Sequence, residues 1–233
     1  MSLKRKIGDW LARRWQVPRV DFALERLCRQ GFIPESLFDV GAYQGDFTRM
    51  ALKTWPSSRV VCFEVQANPL QRLRQLSDQR VRIFECLLGA TPRDSVRFHL
   101  SETASSILPE IAISQSKFAN FRMRSIDDVV KTDFDGRAPE LLKLDVQGYE
   151  LEVLKGAEKT LSRIQVVLAE VNLLDVHKGV PLLHEVAGWF ADRNWVAFDI
   201  CGLTRRPLDL ALWQADLIFV PINSSLRSDK RWV

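Results

Sequence analysis

The sequence is poor in cysteine, and its cysteines are not in a metal-binding spacing. Four cysteines and three histidines occur in 233 residues, and no two cysteines are separated by just two residues. This excludes the common zinc and dithiol motifs, so no metal site is expected. Cys62 and Cys86 fall inside apolar runs. They are predicted to be buried free thiols, which favours a reducing, cytoplasmic setting.

Long hydrophobic runs are also absent. No stretch approaches the roughly 18–20 apolar residues that a membrane span needs. Residues 1–17 lack the apolar stretch of a signal peptide. No internal repeat or low-complexity segment is present. With 46% hydrophobic and 27% charged residues, the composition is that of an ordinary globular protein.

The net charge of +4 is concentrated near the amino terminus. The first thirty residues contain eight basic side chains and three acidic ones. The basic residues are Lys4, Arg5, Lys6, Arg13, Arg14, Arg19, Arg26 and Arg29, and the acidic residues are Asp9, Asp21 and Glu25. Apolar spacing predicts an amphipathic helix over residues 3–15 and a second helix over 20–30. We expect residues 1–33 to form a helical extension. It is open to four roles: a solvated face, a cap on a pocket, a homodimer contact, or peripheral contact with a membrane or a membrane-bound glycan.

The remainder of the chain alternates between strands and helices, which predicts an α/β fold over residues 34–233. The predicted strands are SLFDVGAY, RVVCFEV, VRIFECLLG, ELLKLDV, IQVVLAEVN, WVAFDIC and ADLIFVP. This order is typical of a doubly wound, mostly parallel sheet of about seven strands with helices on both faces. The last two strands lack an intervening helix, which indicates an antiparallel edge.

Other segments give local predictions. SVRFHL alternates and is predicted to be an edge strand, whereas residues 101–121 are predicted to be loop and short helix. Asn68 is predicted to be the N-cap of a helix that has Pro69 at its first position.

Four predicted strands carry a carboxylate at or near the carboxyl end. These residues are Asp39, Glu64, Asp145 and Glu170. In open parallel sheets, ligands bind outside the carboxyl ends of the strands, where the strand order reverses. The four acids are therefore expected to lie around one ligand site.

The glycines after the first strand narrow the choice of ligand. Gly41 and Gly45 allow a tight turn, but Tyr43 stands where a dinucleotide fingerprint has its second glycine. This disfavours a pyrophosphate ligand such as NAD or FAD. Glu64 suits the two hydroxyls of a ribose, and Asp39 could bond the glycine turn or an ammonium group. Together these features favour S-adenosylmethionine.

Five segments, in this order, resemble the FkbM family of methyltransferases. They are FDVGAYQGDF, FEVQANP, SSIL, RSIDDVV and LLKLDVQGYELEVLKGAEKTL. The resemblance covers about residues 36–172 and extends more loosely to 215–220. It implies a Rossmann-like class I fold and S-adenosylmethionine-dependent O-methylation of a hydroxyl on a sugar, glycan or natural product.

The resemblance also implies roles for individual residues. Asp39, Gly41 and Gly45 would line the methionine end, Glu64 would bind ribose, and Asp145 would lie beside the methionine or the transferred methyl. The full predicted cofactor site also contains Ala42, Tyr43, Phe47, Val65, Leu87, Ser106 and Val146. The chain departs from the family at three positions. Tyr43 stands where the family usually has Asn, Val65 where it has Pro, and Gln147 where it has Glu. The change at Gln147 removes a charge near the reacting groups.

Methylation of an alkyl hydroxyl needs a base, because the hydroxyl has a very high pKa. Three candidates are Asp145, Glu170 and His177. Ser105 and Ser106 are open to cofactor contact or to a plain loop role. Glu150 is predicted to serve the first turn of its helix, where acids suit the dipole.

Two other functions stay open: a non-catalytic S-adenosylmethionine-binding module, and an NAD-linked or nucleotide-sugar enzyme. Nucleic acid is not expected as a partner, because the main domain has no basic stripe with interleaved aromatics and no NPPY-type motif. The acceptor is therefore expected to be a small molecule or a glycan.

Overall fold

The computed structural model describes residues 3–100, 106–108 and 117–232. The strands are β1 Ser36–Val40, β2 Arg59–Phe63, β3 Val81–Phe84, β4 Leu87–Leu88, β5 Arg93–Leu100, β6 Lys117–Arg124, β7 Leu141–Leu144, β8 Val166–Asn172, β9 Trp195–Arg205 and β10 Leu212–Pro221. The helices are α1 Leu3–Arg14, α2 Val20–Arg29, α3 Asp46–Thr54, α4 Ala67–Arg74, α5 Ile126–Asp133, α6 Glu150–Lys155, α7 Glu158–Leu161 and α8 Leu183–Ala191, with a 3-10 turn at Ser225–Arg227.

Seven strands form the main sheet, in the order β3-β2-β1-β7-β8-β10-β9. The five strands from β3 to β8 pair in parallel. β10 is antiparallel to both β8 and β9. The predicted doubly wound sheet with an antiparallel edge is confirmed. The strand order reverses between β1 and β7, so a crevice is expected at their carboxyl ends.

A second sheet of three strands, in the order β4-β6-β5, was not predicted. The predicted strand VRIFECLLG is wrong as a single element, because it divides into β3 in the main sheet and β4 in the small one. SVRFHL does form part of β5, which pairs with β6. The predicted loop and short helix are wrong at residues 117–121, which belong to the strand β6. The strand was not predicted because its apolar alternation is weak and only Met123 is buried. The remainder of that prediction, residues 101–105 and 109–116, lies outside the described residues.

The start of α4 differs from the prediction. Gln66, in extended backbone, is the N-cap, and Asn68 is the second helical residue. The carboxylate of Glu64 accepts hydrogen bonds from the amides of Val65 and Gln66, which fixes the turn before Asn68 is reached. Pro69 is tolerated there because amides in the first helical turn have no intrahelical partner.

The two amino-terminal helices are attached to the domain in different ways. α2 buries Phe22, Ala23, Leu24 and Leu27. Three of these, Ala23, Leu24 and Leu27, lie in one apolar cluster with residues of β1, β2, β7, β8 and β10. No described residue of α1 belongs to an apolar cluster. The predicted division after residue 33 therefore separates α2 from a core that it shares with the main sheet. As a domain boundary it stays a prediction. Within the described ranges, no helix has the length and apolar composition that a bilayer span requires.

Trp55, just after α3, is a buried member of this core. Its side chain is 1% exposed, and Nε1 donates to the carbonyl of Phe32 at 2.9 Å. The rings of Phe32 and Trp55 meet edge to face at 5.8 Å. Trp55 thus ties the chain after α2 to the end of α3.

We expect Trp55→Ala to lower the free energy of unfolding by about 3–5 kcal/mol, through lost burial and the cavity left behind. Chemical denaturation measures the change. Trp232→Ala is the matched control, because Trp232 is fully exposed, and it should stay within about 0.5 kcal/mol of the parent. Equal stability of the two variants would contradict this description of the core.

Candidate active site

A pocket of about 220 Å³ opens at the carboxyl ends of β1, β2, β7 and β8. It lies where the strand order reverses, as expected. The residues around it are Val40, Gly41, Tyr43, Phe63, Glu64, Val65, Gln66, Cys86, Leu87, Leu88, Phe98, Ile107, Asp145, Val146, Gln147, Tyr149 and Glu170. Eight predicted site residues are among them. One end of the pocket is acidic, and the end facing the small sheet is apolar.

The glycine turn brings β1 close to β7. Gly41 has φ +74°, and a Cβ there would lie 1.9 Å from the carbonyl oxygen of Asp145. Gly45, with φ +83°, is the N-cap of α3 and does not line the pocket. Tyr43 also has a positive φ of 47° and is 38% exposed at the pocket. Glycine at position 41 is therefore required by backbone contact between strand ends, independently of any ligand.

Asp39 lies behind the pocket wall. It is fully buried, and Oδ2 accepts a hydrogen bond from Thr48 Oγ1 at 2.7 Å. Its Oδ1 is 3.3 Å from Nζ of Lys143, the residue paired with it on β7. Asp39 therefore faces a lysine rather than the pocket.

Lys143 is a site residue that the sequence reasoning missed. Its Nζ also lies 3.2 Å from Asp145 Oδ2 and donates to the carbonyl of Gly41 at 3.1 Å. Burial alone would lower the pKa of Lys143, but Asp145 and Asp39 outweigh it, so the pKa is raised and the lysine is charged. A lysine inside the apolar run LLKLDV was the available signal, because a buried charge requires partners.

Glu64 ends β2 and lines the pocket while holding the surrounding turns. Oε2 accepts from the amide of Tyr43 at 2.9 Å, and Oε1 accepts from the amides of Val65 and Gln66 at 2.7 and 2.8 Å. Burial raises the pKa of Glu64, and these amides partly oppose the rise. The carboxylate is thus held in place at the pocket wall.

Gln147 joins two of the predicted acids. Its Nε2 donates to Asp145 Oδ1 at 3.0 Å and to Glu170 Oε2 at 2.8 Å. Gln214, at the start of β10, donates from Nε2 to the same Glu170 oxygen at 2.7 Å. Sequence reasoning missed Gln214, because the predicted last strand began one residue later, at Ala215. Glutamine in place of the usual glutamate at position 147 therefore supplies an amide donor that bridges two carboxylates.

The pKa of Glu170 is raised well above its ordinary value. Burial is the main cause, and the neighbouring carboxylates of Asp145, Glu150 and Asp216 add to it, while Lys143 opposes it. Asp216, directly opposite Glu170 on β10, has a pKa raised to about 6 by burial and by Asp145. This end of the sheet holds several acids around one lysine.

Glu150 lies in the first turn of α6, as predicted, and its carboxylate also holds the turn after β7. Its Oε1 accepts from the amides of Val146 and Gly148 at 3.0 and 3.2 Å, and it does not line the pocket. Burial raises its pKa to about 7.

The other predicted residues divide into two groups. Val65, Leu87 and Val146 line the pocket. Ala42, Phe47, Ser106 and His177 are buried and do not line it.

Of the serine pair, Ser106 Oγ donates to the carbonyl of Gln147 at 2.8 Å and so supports the turn that carries the amide bridge. Ser105 lies outside the described residues. In the part of the chain that the structure describes, no cluster of three His, Cys, Asp or Glu side chains is arranged to hold a metal ion.

Comparison with known proteins adds a curated relative. The 2-O-methyltransferase NoeI of Sinorhizobium fredii (strain NBRC 101917 / NGR234) is 24% identical over 165 residues, which cover 63% of this chain and 67% of that protein.

Solved structures share the fold. A methyltransferase FkbM from Methylobacillus flagellatus KT aligns with a TM-score of 0.52 and 20% identity, over 79% of this chain and 43% of that one. The chain thus spans less than half of that protein. The magnesium protoporphyrin IX methyltransferase ChlM from Synechocystis PCC 6803, solved with bound SAM, aligns with a TM-score of 0.50 and 9% identity, over 87% of this chain and 77% of that one.

The methyltransferase FkbM domain family matches residues 39–195, from the buried aspartate of β1 to the first residue of β9. This range contains the glycine turn, Glu64 and the bridge from Asp145 through Gln147 to Glu170. The resemblance seen in the sequence motifs is confirmed, and the chain belongs to the methyltransferase FkbM domain family.

Proposed function

We propose that the protein is an S-adenosylmethionine-dependent O-methyltransferase that acts on a hydroxyl of a sugar, glycan or natural product. The observation that carries the proposal is one pocket at the strand reversal with an apolar end, a carboxylate beside β2 and an acidic end. Family membership favours methyl transfer over hydride transfer. The 2-O-methyltransferase named above supports oxygen as the methylated atom.

The chemistry of the pocket fits the proposed cofactor. Leu87, Phe98 and Ile107 offer an apolar surface for an adenine ring, and Glu64 offers acceptors for ribose hydroxyls. Asp145, beside Gly41, offers a negative charge for an ammonium group. When bound, S-adenosylmethionine supplies a methyl group already activated on a sulfonium, so the protein mainly supplies alignment.

The other predicted cofactor residues are proposed either to contact the cofactor or to support the residues that do. Asp39 would act through Lys143, which holds Asp145. Ala42, Gly45 and Phe47 would shape the start of α3, and Tyr43 would cover the pocket entrance. Val65 and Val146 would contact the cofactor, and Ser106 would support Gln147.

Glu170 is the base that the geometry favours. Its carboxylate lines the pocket beside Asp145, whereas His177 does not line it. Both amide donors bind Oε2, so Oε1 is the oxygen proposed to accept the proton of the acceptor hydroxyl. A raised pKa brings Glu170 nearer to neutral pH, where a general base is most effective. Asp145 and His177 remain alternative bases.

We expect isothermal calorimetry to show binding of S-adenosylhomocysteine and no binding of NAD. Glu64→Gln should weaken the former by tenfold or more, because the ribose loses a charged acceptor. Glu152→Gln is the matched control, since Glu152 is on the surface of α6 and pairs with Lys155, and its affinity should equal that of the parent. Parent-like binding by Glu64→Gln would remove Glu64 from the cofactor site.

A screen for S-adenosylhomocysteine release from S-adenosylmethionine, with panels of monosaccharides, oligosaccharides and polyhydroxylated natural products, tests turnover. We expect release with at least one sugar-type hydroxyl. Glu170→Gln should slow it by about 10²-fold or more while leaving calorimetric binding unchanged. Cofactor binding without turnover on any acceptor would instead favour the non-catalytic binding module.

The state of Glu170 can be read without an acceptor. Carbon-13 NMR of glutamate-labelled protein, with the signal assigned by Glu170→Gln, should show Glu170 titrating well above an ordinary glutamate. The group is charged only above its raised pKa, so turnover should rise with pH through that value. Gln214→Leu should raise this pKa further, because a hydrogen bond to the charged form is lost.

Gln165→Leu is the control for that titration, because Gln165 is exposed at the opposite end of β8. Its Glu170 signal should titrate as in the parent. Thermal melting checks that Gln214→Leu is folded. An unshifted titration in a folded Gln214→Leu protein would show that Gln214 does not hold the carboxylate.

A further inference from the structure

The first helix turns its apolar side chains away from the protein. Ile7 is 51% exposed, Trp10 64% and Trp15, just after the helix, 72%. An isolated exposed leucine or isoleucine is ordinary, but two exposed tryptophans on neighbouring turns are not. α1 therefore presents an apolar face that the described parts of the chain leave uncovered.

Charged groups, rather than a core, hold α1 in this orientation. Asp9 pairs with Arg19 at 2.7 Å, and Arg13 pairs with Glu25 at 2.8 Å. The Arg13 guanidinium also lies over the Phe22 ring, 4.1 Å from its centroid. The polar side of the helix thus faces α2, which leaves the tryptophan side for another partner.

The same outward face is basic. Arg14 follows Trp10 by four residues and Ile7 by seven, so the three share one side of the helix. Beyond the helix, Val17, Ile200 and Arg29 line a groove that also contains Asp199 and the contacting pair Arg13 and Phe22. Eight basic and three acidic residues in the first thirty add a local positive field.

We propose that α1 docks onto the surface of an anionic phospholipid bilayer. Tryptophans beside basic residues are typical of helices that lie in the interface, with the rings at headgroup depth and the cations near lipid phosphates. The helix has 12 residues, or about 18 Å, which is too short to cross a bilayer. The net positive charge argues for lipid over a second copy of the chain, because two copies would bring like charges together.

This placement is independent of the proposed methyl transfer. Among the described residues, none of those lining the active-site pocket belongs to α1 or α2. α1 therefore forms no part of the described pocket wall, and loss of docking would leave the cofactor-binding residues intact.

Vesicle co-sedimentation of the full chain tests the proposal. We expect binding to vesicles of phosphatidylglycerol and phosphatidylcholine in equal parts, and little binding to phosphatidylcholine alone. Binding should weaken when salt rises from about 0.1 M to about 1 M, as the Debye length shortens from about 10 Å to about 3 Å. Absence of binding to the anionic vesicles would overturn the proposal.

The double variant Trp10→Ala/Trp15→Ala should lower the partition coefficient by about tenfold or more, through lost apolar contact. Trp232→Ala removes a fully exposed tryptophan at the other end of the sequence and should bind as the parent does. Circular dichroism melting should match the parent for both variants, because Trp10 and Trp15 lie outside the core. Parent-like binding by the double variant would reject α1 as the docking element.

The competing occupant is a second copy of the chain. Light scattering after gel filtration distinguishes it: a monomeric parent supports the lipid proposal. A parent dimer that the double variant converts to monomer would overturn it, because the tryptophan face would then be the dimer interface.

Discussion

The buried ammonium of Lys143 is the interaction on which the pocket depends. It meets Asp39 from β1, Asp145 from the end of β7 and the carbonyl of Gly41 within 3.3 Å. Leaving a buried charge without its partner costs about 3–5 kcal/mol in other proteins. The lysine therefore fixes β1 and β7 against each other where the strand order reverses. Asp145 is held on one side by Lys143 and on the other by Gln147, which continues the chain of contacts to Glu170 and Gln214.

The small sheet gives this acidic centre its apolar counterpart. β4 branches away from β3 after Phe84 and pairs with β6, and Leu87, Phe98 and Met123 form an apolar cluster there. Two of these, Leu87 and Phe98, also line the pocket. A Cβ on Gly156 would lie 2.1 Å from the carbonyl oxygen of Gly89, so close backbone contact holds this sheet against the turn after α6. One pocket thereby combines a polar end fixed by charge with an apolar end fixed by packing.

Charge and packing are separated again at the amino terminus. α2 belongs to the core, whereas α1 is joined to it through ion pairs and a cation–π contact. Exposed ion pairs contribute little individually, so the orientation of α1 depends on several of them acting together. The result is an apolar face turned outward on a basic helix, on a part of the domain separate from the pocket.

The sequence by itself determined the order of elements, the parallel sheet and the acids at its strand ends. Periodicity and strand-end position are local properties, and parallel strands bring their carboxyl ends to one edge whatever their exact register. Family membership could likewise be predicted from five motifs. Lys143 could have been predicted too, since a lysine in an apolar strand needs carboxylates, and Asp39 was available.

Only the tertiary structure decided which residues meet. Gln147 reaches Glu170 because β7 pairs with β8. Gln214 reaches it because β8 pairs with β10 in a register that sets Asp216 opposite Glu170 and Gln214 opposite Asn172. A shift of one residue in this register would turn those side chains to the opposite face of the sheet. No local sequence pattern fixes the register between segments so distant in the chain. The same reason applies to the division of β3 from β4, because β4 pairs with β6, a distant segment of the chain.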